Sequence, residues 1–496
     1  MSTRQPAQTS PARAATMRDI FAPAHRAAAV AILLTVALAA FEGLAVTAAL
    51  PQVAADLGSI DLLPWVITAF GLTSGVATVA SGALIDGVGV SRVFRVAVTL
   101  FTIGGVAAGL SASMPLMIAA RLVQGAGAGA TVAVGLAAVG LVFPRELVGR
   151  AFALNSTVWG VMGVTAPALA AAMLTIGSWR WIFLVNLPLG LVALLAGWRA
   201  LPAVGTARRT PPDIGGLVLV TLFTAAVLLG VDALGPRSVA GVGIAVGIAW
   251  WYLRRARQRS NAVLRPRHIA ASPFGPLAWA ISLLLTGAIA IAAFVPLYVQ
   301  GGRGAGTAMT AWSVLFFTVG WTSGANASSR VLDRIAESSV VLGGFAISAP
   351  AAAVVAGLAA VDAPLWTIFA ALTVQGVGVG GATNAALTLL RAVADDDELG
   401  RATAAHQFLR NQGITVGAAL GGATILLVVG QRIGDIERVR ELLAGTADVT
   451  SSAVADAIAA GFTTAAIAGA LVIAAGVLPV VALRRHLAPA RRRRRG

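Results

Sequence analysis

The chain is 496 residues long, with 58% hydrophobic and only 11% charged residues, against ~25% charged in soluble domains. Its formal net charge of +16 rests on Arg alone, because there is no Lys, and this excludes a GxxxxGK[ST] phosphate-binding loop and Lys Schiff-base chemistry. There is no Cys either, which excludes disulfides, thiolate metal sites and a cysteine nucleophile.

In chain order, residues 1–26 are polar, carry Arg and Pro, and read as a disordered cytoplasmic N-terminus. The apolar run that follows is too long for a cleaved signal peptide. Apolar runs of about 20 residues then recur, each long enough to cross a hydrocarbon layer of about 30 Å. Spans are predicted at 27–50, 62–84, 94–112, 115–141, 152–176, 181–199, 214–232, 238–253, 274–299, 308–328, 338–358, 364–390, 402–430 and 460–483, fourteen in all. The span 238–253 is short and runs straight into Arg254, Arg255, Arg257 and Arg259. Deleting it would put that cluster outside and invert every later loop, so charge bias supports it.

Of the 36 Arg residues, 28 fall in the N-terminus, the even-numbered connections and the tail, counting Arg95 and Arg199 at the span ends that border them; six fall in odd-numbered connections, and Arg121 and Arg410 lie deeper within spans. Positive charge concentrates on the cytoplasmic side of membrane proteins, which puts both termini there. The run Arg491–Arg495 reads as an anchor to anionic lipid at the cytoplasmic face. The tail has no aromatic residue to stack a base, which argues against nucleic acid as a partner.

The chain repeats itself at an offset of 251 residues: Gln124-Gly125-Ala126-Gly127-Ala128-Gly129 returns as Gln375-Gly376-Val377-Gly378-Val379-Gly380, and Arg150-Ala151 returns as Arg401-Ala402. Ala168-Leu169-Ala170-Ala171 returns as Ala419-Leu420-Gly421-Gly422. Spans four and five therefore correspond to spans twelve and thirteen. The resulting all-α integral membrane organisation is an N-terminal six-helix bundle over 27–200, two inserted helices with an Arg-rich cytoplasmic linker over 201–273, a C-terminal six-helix bundle over 274–483 with an outside loop at 431–459, and a basic cytoplasmic tail over 484–496. Parallel halves related about the membrane normal enclose a central path at midplane depth.

Glu42 is the most expensive residue in this pattern, a carboxylate in the apolar run 27–50. An ionised group at membrane depth costs about 2.5 kcal/mol or more, so such residues line ion or substrate paths more often than they face lipid. Protonation removes the charge that burial penalises, which suits a carboxyl that takes and releases a proton. Arg121 cannot be neutralised and must find acceptors or water, or reach the interface from seven residues inside its span. Phe41 and Trp159 could stack on a flat or cationic substrate, or simply pack. Asn384 needs hydrogen-bond partners inside span twelve, and Arg410, at the repeat position of Trp159, could serve the cavity or the cytoplasmic gate. The four His residues form no metal or catalytic set. The segment 436–443 has the pattern of a short amphipathic surface helix.

Several of these stretches together resemble the fourteen-span drug:proton antiporter family of the major facilitator superfamily. Ser178-Trp179-Arg180-Trp181-Ile182-Phe183-Leu184-Val185-Asn186-Leu187-Pro188 is similar to its WRWIFxxNxP segment, and Arg121-Leu122-Val123-Gln124-Gly125-Ala126-Gly127 to its RxxQGxG motif. Leu50-Pro51, nine residues after Phe41-Glu42, resembles the end of its span-one motif, where Asp is commoner than Glu. Gly82-Ala83-Leu84-Ile85-Asp86-Gly87-Val88-Gly89-Val90-Ser91-Arg92 resembles the GxLaDrxGrk loop with most of its basic residues replaced, leaving Asp86, Gly89 and Arg92 for gating. Its counterpart after span ten keeps Asp333 and Arg334. Gly163-Val164-Thr165-Ala166-Pro167-Ala168-Leu169-Ala170-Ala171 resembles the antiporter motif of span five, with Pro167 retained and Ala in place of three glycines.

The resemblance implies a major facilitator fold of two six-helix bundles plus two inserted helices, in a bacterial type of plasma membrane. The implied activity is export of small amphipathic, cationic or neutral organic compounds in exchange for protons by alternating access. It implies no cofactor, a proton gradient as energy source, and a monomer whose partners are substrate, protons and lipid. Glu42 and Arg121 would carry proton coupling; Phe41, Trp159, Asn384 and Arg410 would line the cavity; Gln124, Gly125, Gly163 and Pro167 would serve conformational change. An importer of a metabolite and a non-transporting receptor or scaffold are the rival readings. A membrane enzyme is disfavoured, because no nucleophile–base or ligand constellation is visible.

Overall fold

The computed structural model describes residues 16–58, 62–202, 213–232, 236–433 and 452–493. Among the described residues every regular element is helical. The first half contains α1 (Arg26–Leu57), α2 (Leu63–Val88), α3 (Val90–Gly109), α4 (Met114–Val142), α5 (Arg145–Ile176), α6 (Arg180–Leu184) and α7 (Asn186–Ala200). Next come α8 (Ile214–Asp232), α9 (Pro236–Arg257) and the short α10 (Pro266–Ala270). The second half contains α11 (Phe274–Ala292), α12 (Val295–Leu297), α13 (Thr307–Val331), α14 (Glu337–Ala360), α15 (Leu365–Val393), α16 (Leu399–Ile433), α17 (Ser452–Ala475) and α18 (Val477–Arg493).

Each predicted span coincides with a helix, yet fewer than fourteen are apolar enough by themselves to cross a membrane. Ten of the described helices or fused pairs have the length and composition, or eleven if the bent α5 counts as one span. The apolar part of α8 is only Ile214–Val227. Three Arg residues close the last turn of α9. In α13 polar side chains turn to protein rather than lipid: Asn326 donates to the Thr157 hydroxyl at 2.8 Å and the Thr322 hydroxyl to the Ser156 carbonyl at 3.3 Å.

Both predicted ends are more ordered than expected where they are described. Residues Met17–Phe21 form a 3-10 turn closed by a Thr16–Asp19 capping box, and Ile20 is buried in the apolar cluster of the first half. Helix α18 continues past the predicted tail boundary to Arg493. Residues 1–15 and the predicted amphipathic segment 436–443 lie outside the described residues.

The repeat read from sequence reappears as packing. In the first half α4 packs on α2 and α3, α1 on α5 and α7, and α3 on α7; in the second half α15 packs on α13 and α14, α11 on α16 and α17, and α14 on α17. The closest approaches match as well, since a Cβ on Gly129 would overlap the Ser74 carbonyl and one on Gly380 the Trp321 carbonyl. Small residues at these crossings let helix backbones touch, which suits both tight packing and sliding. Between halves, α5 meets α13 and α15 as α16 meets α2 and α4.

The inserted helices sit against one of these seams. Helix α8 contacts α2 and α16, with Leu219 and Val220 in a cluster with Val79 and Phe408. Their linker docks through α10, where buried Glu398 receives Arg267 at 3.0 Å and lies 3.2 Å from His268 Nε2. Burial pushes His268 below its ordinary value of 6.5, against the pull of Glu398.

Two outcomes are expected. Gly129→Ala and Gly380→Ala should each lower thermal stability by about 1–3 kcal/mol through overpacking, and by similar amounts because the contacts correspond. Because the folded-state value of His268 is depressed, the unfolded chain takes up that proton first as pH falls through 6.5, so stability is complete above 6.5 and declines below it. Thermal midpoints at about pH 7.5 and about pH 5.5 should therefore differ less in His268→Gln than in wild type.

Candidate functional site

Two arrangements stand out, a sealed charge cluster and a cavity between the halves. In the first, the Arg121 guanidinium on α4 is paired with the Glu42 carboxylate on α1, and both side chains are almost completely buried. Asn186 Nδ2 donates to the other Glu42 oxygen at 2.9 Å. Arg121 donates further to Gln124 Oε1 at 2.7 Å and to the Val66 carbonyl at 3.0 Å, and its guanidinium lies 4.1 Å from the Phe70 ring centroid. The Nε and Nη1 donors of Arg121 are thus spent on acceptors, with a ring face against the guanidinium, as a charged group in a protein interior requires. At the repeat position of Arg121 stands Leu372, while Gln375 keeps the place of Gln124 with its side chain unpartnered. The charge pair belongs to one half only.

Asn186 was not singled out for a role, although it lies in the WRWIFLVNLP segment. That segment holds α1 at two points. Near the end of α1, Trp179 Nε1 donates to Asp56 at 3.1 Å and Arg180 pairs with the same carboxylate. The hydrogen bonds from Arg180, then Trp179, hold the Asp56 carboxyl below the usual range. In mid-helix, Asn186 holds Glu42.

The cavity encloses about 100 Å³ and is lined from both halves. Its walls follow the repeat: Val132 and Thr383, Leu136 and Leu387, Ser156 and Gln407, and Trp159 and Arg410 are all lining residues, each pair 251 apart. Asn384 also lines it, so three of the four residues expected there are present. Phe41 is the exception. It is buried with Ala45, Val66 and Met117 away from the cavity, because on α1 it lies two residues, about 200° of helix rotation, from the lining Ala39. Trp321, Asn155 and Thr131 are lining residues that had not been identified from sequence. Only the repeat register could have hinted at the walls, and it could not reach Trp321 on α13.

Glu42 does not line this cavity. It is buried about one turn, ~4.5 Å along α1, beyond Ala39.

The residues expected to gate meet partners across the seam. Asp86 at the end of α2 accepts the Gly400 N–H at 2.9 Å, the Arg401 N–H at 3.1 Å and the Arg401 guanidinium at 3.4 Å. This carboxylate therefore caps α16, where a negative charge is favoured by the exposed N–H groups. Asp333 accepts two donors from the Arg150 guanidinium, at 3.1 and 2.5 Å. These are corresponding contacts, since Arg150 and Arg401 are repeat partners and Asp86 and Asp333 close corresponding loops. Arg92 and Arg334, expected to share this work, are exposed, and no ion pair involves them among the described residues. The opposite half supplies the cations because Arg150 and Arg401 open the helices that cross the seam. Gly89 takes a left-handed conformation, φ 90°, which turns the chain between α2 and α3. A Cβ on Gly125 would overlap the Phe70 carbonyl on α2, and Gly163 faces Thr318 of α13. Helix α5 is bent by 41° at the break between Arg145–Gly163 and Ala168–Ile176, within which Pro167 falls in the sequence.

A family model described as Major Facilitator Superfamily matches residues 32–418. An uncharacterised MFS-type transporter of Mycobacterium tuberculosis is 27% identical over 415 residues, covering 82% of this chain and 60% of the relative, so the chain spans well under the whole of it. MdtD of Yersinia pestis, named as a candidate multidrug resistance protein, is 35% identical over 217 residues, 42% of this chain and 46% of the relative. The fold is similar to the proton:xylose symporter XylE, with a TM-score of 0.59 at 12% identity over 90% of this chain and 94% of that one. A bacterial homologue of the iron transporter ferroportin gives a TM-score of 0.59 at 10% identity, covering 90% of this chain and 99% of that one.

Removing one partner of a buried ion pair leaves an uncompensated charge and typically costs about 3–5 kcal/mol. Arg121→Gln and Glu42→Gln should each destabilise the protein, Glu42→Gln the more because it strands a guanidinium that cannot deprotonate. The double variant should recover part of the loss in a thermal-denaturation cycle.

Proposed function

Because the chain belongs to the Major Facilitator Superfamily and is a membrane transporter rather than an enzyme, we propose that it exports small amphipathic organic compounds in exchange for protons by alternating access. The observation that carries this reading is Glu42, buried with Arg121 and Asn186 one turn from a cavity built by both halves. Its pairing is breakable by one proton. Protonated, Glu42 no longer satisfies Arg121, and α1, which also supplies cavity residues Thr35, Val36 and Ala39, is released from the pair. Competition between proton and substrate then runs along α1 rather than by direct displacement, since the carboxylate is not in the cavity wall.

The proposed arrangement has fourteen crossings with both termini in the cytoplasm of a bacterial cell, on the strength of the Arg asymmetry. In that orientation the Asp86–Arg401 and Arg150–Asp333 contacts lie at the cytoplasmic end and close it, and the Glu42–Arg121 pair lies on the outer side of the cavity. Protons would then reach Glu42 from outside while substrate enters from the cytoplasm after the seam opens. A cavity of about 100 Å³ is smaller than the ~300–1,000 Å³ that hold drug-sized ligands, so the halves must part to load one. The partial likeness to MdtD supports a compound-exporting role over uptake of a metabolite.

The test is dye movement in proteoliposomes with an imposed pH gradient, using ethidium and carboxyfluorescein as probes. Wild type should move at least one of them faster with the gradient than without, and Glu42→Gln should lose that acceleration by about 10-fold. Equal acceleration in wild type and Glu42→Gln would overturn the coupling role.

A further inference from the structure

Among the described residues, Arg410 is the one charged side chain in the cavity wall. Among the described residues no carboxylate pairs with it, and the Trp321 ring lies 5.8 Å from the guanidinium carbon. This sets it apart from the other Arg residues inside the protein: Arg121 is paired with Glu42, Arg150 with Asp333 and Arg401 with Asp86. The acid nearest along α1, Glu42, is already engaged by Arg121 and Asn186. Around the same space Asn155 has both amide atoms unpartnered, as are the Thr131 hydroxyl and Gln407 Oε1, although all three side chains are buried. Buried polar atoms are ordinarily hydrogen-bonded, so the polar groups around this space are left short of partners.

We propose that the cavity binds an organic anion, with a carboxylate or equivalent oxyanion held by the Arg410 guanidinium and its flat apolar body against Trp159. This rests on the reading of the cavity as the transport site and names the class of compound carried there.

The charge decides between ligand classes. A guanidinium stays ionised at any ordinary pH, and its planar fork matches a carboxylate in two parallel hydrogen bonds. The Asn155 amide and Thr131 hydroxyl lie in the same wall. A cationic ligand would gain from tryptophan faces, but the Trp321 face is already taken by Arg410, and two like charges in a poorly hydrated space repel more strongly than one ring attracts. The cationic compounds expected from Glu42 alone are therefore disfavoured, because Glu42 is outside the cavity wall and neutralised by Arg121. In the opposite half the repeat position is Trp159, so the site offers a cation on one side and an aromatic face on the other.

The experiment is equilibrium binding by calorimetry to the purified full chain in lipid nanodiscs, with naphthoate, naphthamide and naphthyltrimethylammonium as probes of one shape and three charges. Wild type should bind naphthoate about 10-fold tighter than naphthamide, with the cation weakest, as expected for hydrogen bonds to a charged group. Arg410→Gln should bind naphthoate and naphthamide alike, its retained naphthamide binding showing that the cavity is intact. Should Arg410→Gln fail to fold, Arg410→Lys decides: keeping the cation and losing the fork, it must retain a smaller preference for naphthoate. An anion preference that survives Arg410→Gln, a cation that binds as tightly as the anion, or no binding of any probe by wild type would overturn the proposal. Binding is read without a pH gradient. Equal pH-driven acceleration in wild type and Glu42→Gln, with the naphthoate preference intact, would overturn the coupling reading alone, and a Glu42-dependent acceleration without a naphthoate preference would overturn the anion site alone.

Discussion

A charge placed in an apolar interior must find a partner or water, and the placement of partners organises this protein. Glu42 and Arg121 join α1 to α4, and Asn186 adds α7 to the same knot. Asp86 and Arg401 join α2 to α16, while Arg150 and Asp333 join α5 to the end of α13. The first cluster holds one half together. The other two hold the halves to each other, at one end only.

Of the two seam pairs, Arg150–Asp333 can be made and broken readily because it is polar and partly exposed, whereas Asp86–Arg401 is buried. Asp333 is 44% exposed in its pair with Arg150, so water is at hand to replace the cation. Within each half the opposite holds. The crossings at Gly129 and Gly380 bring backbone against backbone, with no room for a side chain and no water to trade places with. Rigid halves joined by exchangeable contacts fit rocking about a central site, the arrangement that parallel repeats provide.

Much of this is legible in the sequence, and the limits follow from geometry. Glu42 and Arg121 stand out because charge in an apolar run is costly wherever the side chain points. Repeated glycines mark the crossings because only a missing Cβ permits them. Arg150 and Arg401 were visible as a repeated pair, yet their partners were not, since an ion pair between residues 150 and 333 depends on two helix ends meeting across the molecule. Phe41 shows the other limit: two residues of helix rotation, about 200°, separate it from the cavity face, and composition does not carry that phase. Asn155, Thr131 and Trp321 are unremarkable in sequence and become notable only when unpartnered atoms or an Arg410 contact appear beside them.

What the sequence determined by itself was the class of molecule and its two-fold plan. Apolar length, Arg asymmetry and a 251-residue register are properties of the chain in order, and each reports directly on the solvent or the repeat. The tertiary structure decided which charges cancel. It gave Glu42 to Arg121, gave Asp86 and Asp333 to cations of the opposite half, and left Arg410 in the cavity wall with a tryptophan ring and no acid among the described residues. Electrostatic energy falls steeply with distance in a low-dielectric interior, so pairing is settled by a few ångströms that only the folded arrangement supplies.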